Sequence, residues 1–438
     1  MSSSDTQHRP KRILSGAFTL AVIVGGTIGL GILRTPGEVV AVAPDPLMFV
    51  SLWVLSGLFI LLSTIVVVEL IGMTPRSGGT YALVRRAYGP FPGFVIGWVD
   101  WLAFVGDIAL KAVVITEFAA LLVPAIGRWQ TPLAIIVSSV FAALQLGGIA
   151  LGAKIQEIAA AVIALIIVGF TVALVFAESA ISSNATSVPH AANGLGAWSL
   201  LVASIIYTYD GWSYPAYFSG EIKGGGGAVA RACINGVVVV ILLYVFLVAA
   251  LAWKVPLASL AGNELALAGA LEMAVSPLAS KVVLAVAIVM LLAHQNLLYM
   301  STPRILQALA VDGLAVRRAG EISKGGNPIF AVLLSWGFSV GLILIGGFYF
   351  LLHLSIFFFL FIYVVVVAGV IILRSRQPDA DRPYRAWGHP WSTYTCLFGW
   401  LVLGLFQAFA QIDTAAYAAI MVAISWPVYR YLMRSRSN

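Results

Sequence analysis

Charged residues are scarce in this sequence. Asp, Glu, Lys and Arg make up 10% of its 438 residues, whereas soluble globular domains carry about 25%. Hydrophobic residues account for 61% of the chain, and the mean hydropathy is +0.99. These values exclude a soluble protein and indicate an integral membrane protein. Because no polar stretch is long enough to form a separate soluble domain, we expect a single membrane-embedded domain.

Cysteine and histidine are also scarce. The two cysteines, Cys233 and Cys396, lie far apart at predicted helix ends, so the sequence indicates no disulfide framework and both read most simply as small buried residues. A membrane-embedded enzyme would need His, Asp or Cys clustered at one membrane face. Five scattered histidines and two cysteines do not supply such a cluster, so we expect no catalytic residues, no metal site and no cofactor.

Long hydrophobic stretches recur along the whole chain. About 20 apolar residues are needed to cross a hydrocarbon core roughly 30 Å thick. The sequence predicts an all-α protein with twelve transmembrane helices, at 13–34, 47–73, 93–123, 131–150, 155–177, 198–220, 230–253, 279–309, 328–348, 353–373, 393–412 and 415–433. The boundary between the ninth and tenth spans is the weakest, because Phe348 to Leu360 has almost no polar break.

The basic residues predict the orientation of the chain. A net charge of +7 could suggest a nucleic-acid partner, but the basic residues fall in alternate loops, which is the positive-inside pattern. We therefore expect no nucleic acid, a multi-pass protein of the cytoplasmic membrane, and both termini in the cytoplasm. No Lys or Arg occurs between Lys154 and Lys223, which places the 178–197 loop outside. Residues 1–12 precede an apolar run too long for a cleavable signal peptide.

Two of the predicted spans are interrupted where a membrane helix should be continuous. The breaks lie at Ile23–Ile32, which contains four glycines, and at Ile206–Pro215. An unpaired peptide group in hydrocarbon costs several kcal/mol, so backbone that breaks there must be buried in protein or line a wet cavity. Two breaks at matching places in two halves of a chain are typical of a transport site.

Broken helices expose peptide groups that can bind a zwitterion. Free amides begin the second half of a broken helix and free carbonyls end the first half, each with partial charge from the helix dipole. We expect the amides of Gly29, Leu30 and Gly31 to receive a carboxylate, and the carbonyls near Gly26 and Thr27 and from Tyr207 to Asp210 to receive an ammonium group. Alternatively, the glycines serve close helix packing.

Four segments of the chain carry recognisable motifs: Gly29-Leu30-Gly31-Ile32 in the first break, Glu69 through Pro75-Arg76-Ser77-Gly78-Gly79 to Trp98, Tyr209-Asp210-Gly211-Trp212 with Gly220-Glu221 and Lys223, and Asn296 through Pro303-Arg304 to Asp312-Gly313. Together they resemble the amino acid-polyamine-organocation superfamily, in its L-type amino acid transporter and bacterial amino acid permease branch. The first of them is similar to the family's helix 1 signature.

This resemblance implies a leucine-transporter-type fold of two inverted five-helix repeats with broken helices 1 and 6. It also implies a central amino acid site, alternating access and no covalent catalysis. On this basis we divide the chain into a cytoplasmic tail (1–12), a ten-helix transport core (13–373), a cytoplasmic loop (374–392), helices 11 and 12 (393–433) and a second cytoplasmic tail (434–438).

The sequence departs from the family at three places. Leu30 replaces a small residue of the helix 1 signature, and residues 161–163 lack the lysine that the L-type branch often has in helix 5. The loop at 124–130 contains no cysteine, so we expect no disulfide-linked heavy chain. The expected partners are an amino acid substrate and the lipid bilayer.

The candidate residues form two groups. Those expected to bind substrate are Gly26, Thr27, Ile28, Gly29, Leu30, Gly31, Ile32, Tyr207, Tyr209, Asp210 and Gly211. Those expected in gating or coupling are Asp107, Lys111, Trp212, Glu221, His294 and Ser301.

Four of these side chains have competing interpretations. Lys111 either supplies the charge that a sodium ion or the missing lysine would provide, or forms a structural pair with Asp107 one turn away. Asp210 either attracts an ammonium group or caps the broken helix. His294 suits proton coupling but is also explained by a simple hydrogen bond, and Glu221, near Lys223, is expected in an inner-gate or loop ion pair.

We therefore predict a secondary active transporter of amino acids that works by sodium-independent exchange or by proton coupling. Ser301 and Thr302 lie near the family's ion-site level, so sodium coupling is the nearest alternative. A polyamine or other organocation is disfavoured, because Asp210 is expected to be the sole carboxylate near the site. A channel would need a symmetric pore or a ring of charge, and a carrier would show saturable counterflow.

Overall fold

The protein is described by a computed structural model that covers residues 12–178, 194–263, 265–346 and 348–437. These residues are mostly helical, with one isolated β-bridge between Leu14 and Ile222. The helices, in chain order, are α1 Gly16–Thr27, α2 Leu30–Val42, α3 Pro46–Met73, α4 Gly79–Tyr88, α5 Pro90–Leu122, α6 Gln130–Leu144, α7 Ile149–Phe176, α8 Leu195–Thr208, α9 Pro215–Phe218, α10 Gly225–Lys254, α11 Ala266–Ala274, α12 Ala279–Val311, α13 Ile329–Ile345, α14 Phe348–Arg376, α15 Trp391–Ala410 and α16 Ile412–Ser437.

The membrane character predicted from composition is confirmed. Within the described ranges, eight helices are long and apolar enough to cross a membrane, and α1 with α2 would make a ninth as one span bent by 42°. The number twelve stays a prediction. The other three predicted spans are not among them: α5 has 33 residues, α13 has 17 residues, and the stretch from α8 to α9 is interrupted.

Two boundaries differ from those predicted. The first span is predicted to end at residue 34, but α2 continues to Val42 and includes Arg34 and Glu38, which form an i,i+4 ion pair at 3.0 Å within the helix. The polar segment 74–92, expected as a loop, contains the amphipathic helix α4, which begins after Gly78. At the weakest boundary, α13 ends at Ile345 and is followed by Gly346 with a φ of +78°.

The broken first span lies inside the protein. Helix α1 packs against α7, α10 and α12, and α2 packs against α8. The residues from Ala21 to Thr27 are all buried. The interruption is therefore enclosed by protein, which is the condition for irregular backbone at membrane depth. The predicted outer loop at 178–197 and the terminal tails 1–12 and 434–438 fall largely outside the described residues or their described side chains.

Candidate functional site

The first break separates two helix ends. Helix α1 ends at Thr27, and α2 begins at Leu30 with Gly29 as its N-cap residue. No side chain hydrogen-bonds to the first turn of α2 as a cap. The Gly29 amide hydrogen-bonds to the Tyr244 hydroxyl of α10, and the helix dipole gives this end of α2 partial positive charge.

The glycines of the first break divide into two kinds. A Cβ on Gly25 would lie 2.6 Å from Gln156 Nε2, one on Gly26 would lie 2.8 Å from Tyr214, and one on Gly31 would lie 2.7 Å from Thr208 Oγ1. These three positions serve close packing. At Gly29 the nearest atom would be His294 Nδ1, at 3.9 Å, so this position faces free space.

The second break touches the first. Helix α8 ends at Thr208, a turn covers residues 209–214, and α9 begins at Pro215. Gly211 in this turn has a φ of +129°, a left-handed conformation that favours glycine. A Cβ there would lie 2.6 Å from both the Gly26 carbonyl carbon and Thr27 Oγ1. Gly211 therefore allows the two broken spans to cross in direct contact.

Tyr244 of α10 joins the two broken helix ends. Its hydroxyl lies 3.0 Å from the Thr27 carbonyl oxygen and 3.3 Å from the Thr208 carbonyl oxygen. The Thr27 carbonyl, expected to receive an ammonium group, thus already has a protein donor. On the other side of the crossing, the hydroxyls of Thr35 and Thr208 are 2.9 Å apart and link α2 to α8. No sequence signal indicates this role for Tyr244, since aromatic residues are ordinary in membrane helices.

A cavity of about 370 Å³ adjoins both breaks. It opens toward Arg34 and Glu38, whose side chains are 43% and 40% exposed. Ten predicted residues line it: Gly26, Thr27, Gly29, Leu30, Gly31, Asp107, Lys111, Tyr207, Asp210 and His294. Lining residues that the sequence did not indicate include Thr35, Thr208, Tyr214, Phe359 and Gln407.

Four residues expected to bind substrate do not line this cavity. Ile28 and Ile32 are fully buried and point into the apolar core. Tyr209 turns away, donating its hydroxyl to the Trp53 carbonyl at 3.2 Å and packing against Tyr244. Gly211 is covered by the first break. Their backbone or packing supports the site, and their side chains do not face it.

Three residues expected in gating or coupling also lie away from the cavity. Trp212 is fully buried and stacks on Tyr363 with ring centroids 5.0 Å apart. The Ser301 hydroxyl donates to the Leu297 carbonyl of its own helix at 2.9 Å. Glu221 lies at the opposite end of the molecule, in an ion pair with Arg304.

The carboxylates of the cavity differ in their partners. Asp107 pairs with Lys111 and Glu38 pairs with Arg34. The expectation that Asp210 is the sole carboxylate near the site is therefore wrong, because helical spacing brings two further acids to the cavity wall. Among the carboxylates that line the cavity in the described part of the chain, however, Asp210 is the one without a basic partner. Its Oδ1 accepts from the Gly211 amide at 2.9 Å and from the Tyr363 hydroxyl.

His294 of α12 connects the cavity wall to the second break. Its Nε2 lies 3.0 Å from the Tyr214 hydroxyl. Its other ring nitrogen, Nδ1, is the atom nearest to the free side of Gly29. The imidazole thus stands between the two breaks, where a ligand held at the start of α2 would meet it.

The end of the molecule opposite the cavity mouth is closed. We call this end of the molecule the basic end. It carries the loops 74–78, 219–224, 312–328 and 377–390. Arg304 donates to both Glu221 oxygens at 2.7 and 3.1 Å, and Ser77 donates to the same carboxylate at 3.2 Å. Both members of the ion pair are buried. Leu14 pairs with the segment at Ile222 through two backbone hydrogen bonds, which ties the start of the chain to this loop.

Two further acidic residues hold the basic end together. Asp312 accepts from Tyr81 at 2.6 Å, pairs with Arg76 at 2.7 Å and pairs with Arg85. Burial raises the pKa of Asp312, but hydrogen bonds from these neighbours outweigh burial and hold that pKa below its ordinary value. Glu69 accepts from the side chains of Arg374 and Arg382 and from the Ala386 amide.

One family profile and several known proteins resemble this chain over half of its length or more. The profile of the Amino acid permease family matches residues 14–428. The serine/threonine exchanger SteT of Bacillus subtilis is 24% identical over 90% of this chain and 91% of its own length. The gamma-aminobutyric acid permease of the same organism is 26% identical over 77% of this chain and 73% of its own length. The mouse b(0,+)-type amino acid transporter 1 is 26% identical over 54% of this chain and 49% of its own length.

These proteins are transporters and permeases rather than enzymes, in agreement with the broken helices and the cavity between them. The resemblance to amino acid transporters expected from the sequence is confirmed by a match that spans both breaks and reaches into α16. The chain belongs to the Amino acid permease family.

Proposed function

We propose that this protein carries amino acids across the cytoplasmic membrane by alternating access, through sodium-independent exchange or proton-coupled uptake. The proposal includes twelve spans, two inverted repeats within residues 13–373, cytoplasmic termini and no disulfide-linked heavy chain. The single observation that carries it is the meeting of two broken helices at one cavity, with Gly29 facing free space at the start of α2.

The substrate carboxylate binds the leading amides of α2. Leu30 and Gly31 line the cavity at the positive end of this helix. The ammonium group lies toward the Gly26 carbonyl and the carboxylate of Asp210, two residues that line the same space, whereas the Tyr207 carbonyl already accepts from the Asp210 amide at 3.0 Å. The Thr27 carbonyl contributes less, because Tyr244 already donates to it.

Alternating access follows from the closed basic end. With the basic loops in the cytoplasm, the cavity mouth at Arg34 and Glu38 faces outward and the Glu221–Arg304 pair closes the inner side. Release of substrate inside requires this buried ion pair to separate. The gate proposed for Glu221 therefore has Arg304 as its partner, in place of the neighbouring Lys223.

The cavity suits a small substrate. Its volume of about 370 Å³ lies near the lower limit of small-molecule sites, which span about 300 to 1,000 Å³. The name of one relative, the exchanger SteT, specifies serine and threonine. Small amino acids with short side chains are therefore the first substrates to test.

Two observations bear on the alternatives. The hydroxyls of Ser301 and Thr302 both donate to carbonyls of their own helix, at 2.9 and 2.8 Å; because a donating hydroxyl keeps its oxygen lone pairs, sodium coupling is tested by the sodium-free assay below. A polyamine would need several unpaired carboxylates, and among the lining carboxylates Asp107 and Glu38 are already paired with basic side chains.

Counterflow in proteoliposomes tests the proposal. Vesicles are loaded with unlabelled L-serine, L-threonine, L-alanine, glycine, gamma-aminobutyrate or putrescine, and uptake of the labelled compound is measured in sodium-free buffer. We expect saturable counterflow of at least one small amino acid and none of putrescine. Protein-free vesicles are the blank, and Gly29→Ala is the variant in which the site is obstructed. Absence of counterflow for every amino acid, or a strict requirement for sodium, would contradict the proposal.

A further inference from the structure

The ion pair of Asp107 and Lys111 lies on the wall that α5 contributes to the cavity. Both residues line the cavity, and Lys111 Nζ donates to Asp107 Oδ2. Their side chains are 4% and 13% exposed. In the described part of the chain, the other carboxylate oxygen, Asp107 Oδ1, is buried and has no hydrogen-bond partner. The pair is therefore incomplete, because one of its acceptor atoms lacks a donor.

The pair lies beside the first break. Leu30, the first residue of α2, packs against Val114 of α5 and Leu291 of α12. Lys111 comes one turn before Val114, and Asp107 comes one turn before Lys111. Helix α5 runs from the basic end toward the cavity mouth, so both charged residues lie deeper than Leu30. The side chain of an amino acid held at the start of α2 therefore shares the cavity with this pair.

Asp107 Oδ1 is a buried acceptor that a ligand can complete. Among the described side chains that line the cavity, two have a buried oxygen without a partner, Asp107 and Thr27. The Thr27 hydroxyl is covered by Gly211, where an added Cβ would lie 2.6 Å from it. Because Asp107 lines the cavity, a donor for its Oδ1 can come from that side.

The chemistry of the pair matches a group that donates and accepts hydrogen bonds at once. A hydroxyl group has one donor and two acceptor lone pairs, and an ammonium group has three donors, of which Lys111 gives one to Asp107. An apolar side chain would leave the buried oxygen without a donor, which costs free energy. A charged side chain would compete for one member of the pair and leave the other buried without its partner.

We propose that Asp107 and Lys111 bind the substrate side chain and select amino acids whose short side chain carries a hydroxyl group, as in serine and threonine. The inference rests on the proposed transport function and names its substrate class. The substrate hydroxyl donates to Asp107 Oδ1 and accepts from Lys111 Nζ. The amides of α2 and the Asp210 carboxylate bind the two charged ends of the same molecule. The cavity volume of about 370 Å³ limits the length of the side chain.

Competition between amino acids of equal shape tests the inference on the wild-type protein. L-valine has a methyl group where L-threonine has its hydroxyl group. Counterflow of the panel amino acid with the highest rate is measured in proteoliposomes with increasing L-threonine or L-valine outside. We expect L-threonine to compete at least about tenfold better, because leaving a buried polar group unpaired costs enough free energy for a factor of this order. L-serine should likewise compete better than L-alanine.

A double substitution assigns this preference to the pair. Asp107→Leu with Lys111→Met removes both charges together, so neither is left buried without a partner. The preference for L-threonine should then disappear or reverse, because an apolar pocket does not reject L-valine. The matched control is Arg34→Met with Glu38→Leu, which removes the other i,i+4 ion pair that lines the same cavity, at its exposed mouth. This control should keep the wild-type preference.

O-methyl-L-serine covers the case in which the double variant of α5 folds poorly. This compound is an isomer of L-threonine, and its ether oxygen accepts a hydrogen bond but cannot donate one. With the wild-type protein it should compete at least about tenfold less well than L-threonine, since Asp107 Oδ1 stays without a donor. Equal competition by the two isomers would contradict the proposed contact.

The possible failures are distinct. Equal competition by L-threonine and L-valine in wild type overturns the inference and leaves transport intact. A wild-type preference in Asp107→Leu with Lys111→Met, or loss of the preference in Arg34→Met with Glu38→Leu as well, also overturns it. Absence of counterflow for every amino acid overturns the proposed function instead.

Discussion

Replacing Gly29 by alanine should separate substrate binding from protein stability. The nearest atom to an added Cβ is His294 Nδ1 at 3.9 Å, and the φ of Gly29 is −139°, which a residue with a side chain adopts. The unliganded protein should therefore unfold at the wild-type temperature. The new methyl group nevertheless takes up space in the cavity that Leu30 and Gly31 also line.

The size of the effect follows from the hydrogen bonds that are displaced. A hydrogen bond to a charged group contributes about 1.5 to 3 kcal/mol. Loss of one amide–carboxylate bond should then weaken binding about 12- to 150-fold, since 1.4 kcal/mol corresponds to a factor of ten. Counterflow competition gives the affinity, and thermal unfolding without substrate gives the stability.

Gly31→Ala is the matched control. Its Cβ would lie 2.7 Å from Thr208 Oγ1, closer than side chains approach, so this variant should lose about 1 to 3 kcal/mol of stability through overpacking. Wild-type affinity in Gly29→Ala would refute the reasoning, as would a loss of unliganded stability equal to that of Gly31→Ala.

Three further substitutions test the charged groups. Glu221→Gln leaves Arg304 buried without its partner and should destabilise the closed basic end by about 3 to 5 kcal/mol. A cysteine introduced at that end should then be labelled faster than in wild type. An unchanged labelling rate would contradict the proposed gate. Lys111→Met should lower the unfolding temperature through the unpaired Asp107, and adding Asp107→Asn should restore it if the pair is structural. If the Asp210 carboxylate receives the ammonium group, Asp210→Asn should lose about 2 kcal/mol of binding free energy, so competition by amino acids should weaken more than tenfold. Equal competition would leave Asp210 only its hydrogen bond from the Gly211 amide, which is a structural role.

The positions of the breaks were predictable because the signal is local. Clustered glycines in an apolar stretch and the Tyr207–Pro215 interruption indicate lost helical pairing wherever they occur. The structure accordingly ends α1 at Thr27 and α8 at Thr208. The Lys111–Asp107 pair was equally accessible, because helical spacing alone brings i and i+4 side chains together.

The orientation of individual side chains was not predictable. Gly25, Gly29 and Gly31 look alike in the sequence, yet an added Cβ has room at Gly29 and would overlap neighbouring helices at the other two positions. Ile28 and Ile32 were assigned to the site by their place in the motif, but rotation of the helix buries both.

Partners distant in sequence were also beyond reach. Tyr244 bridges the carbonyls of Thr27 and Thr208, and Arg304 pairs with Glu221. Such contacts depend on how the helices pack, and a single sequence carries no periodic signal for them.

The central claim is that peptide groups at the two breaks bind both ends of an amino acid. The most direct measurement is a cryo-electron microscopy structure of the protein with the amino acid that gives the strongest counterflow. We predict its carboxylate within hydrogen-bonding distance of the Leu30 and Gly31 amides and its ammonium group beside Gly26 and Asp210. Density for the amino acid elsewhere, with the first turn of α2 making no contact to it, would contradict the account.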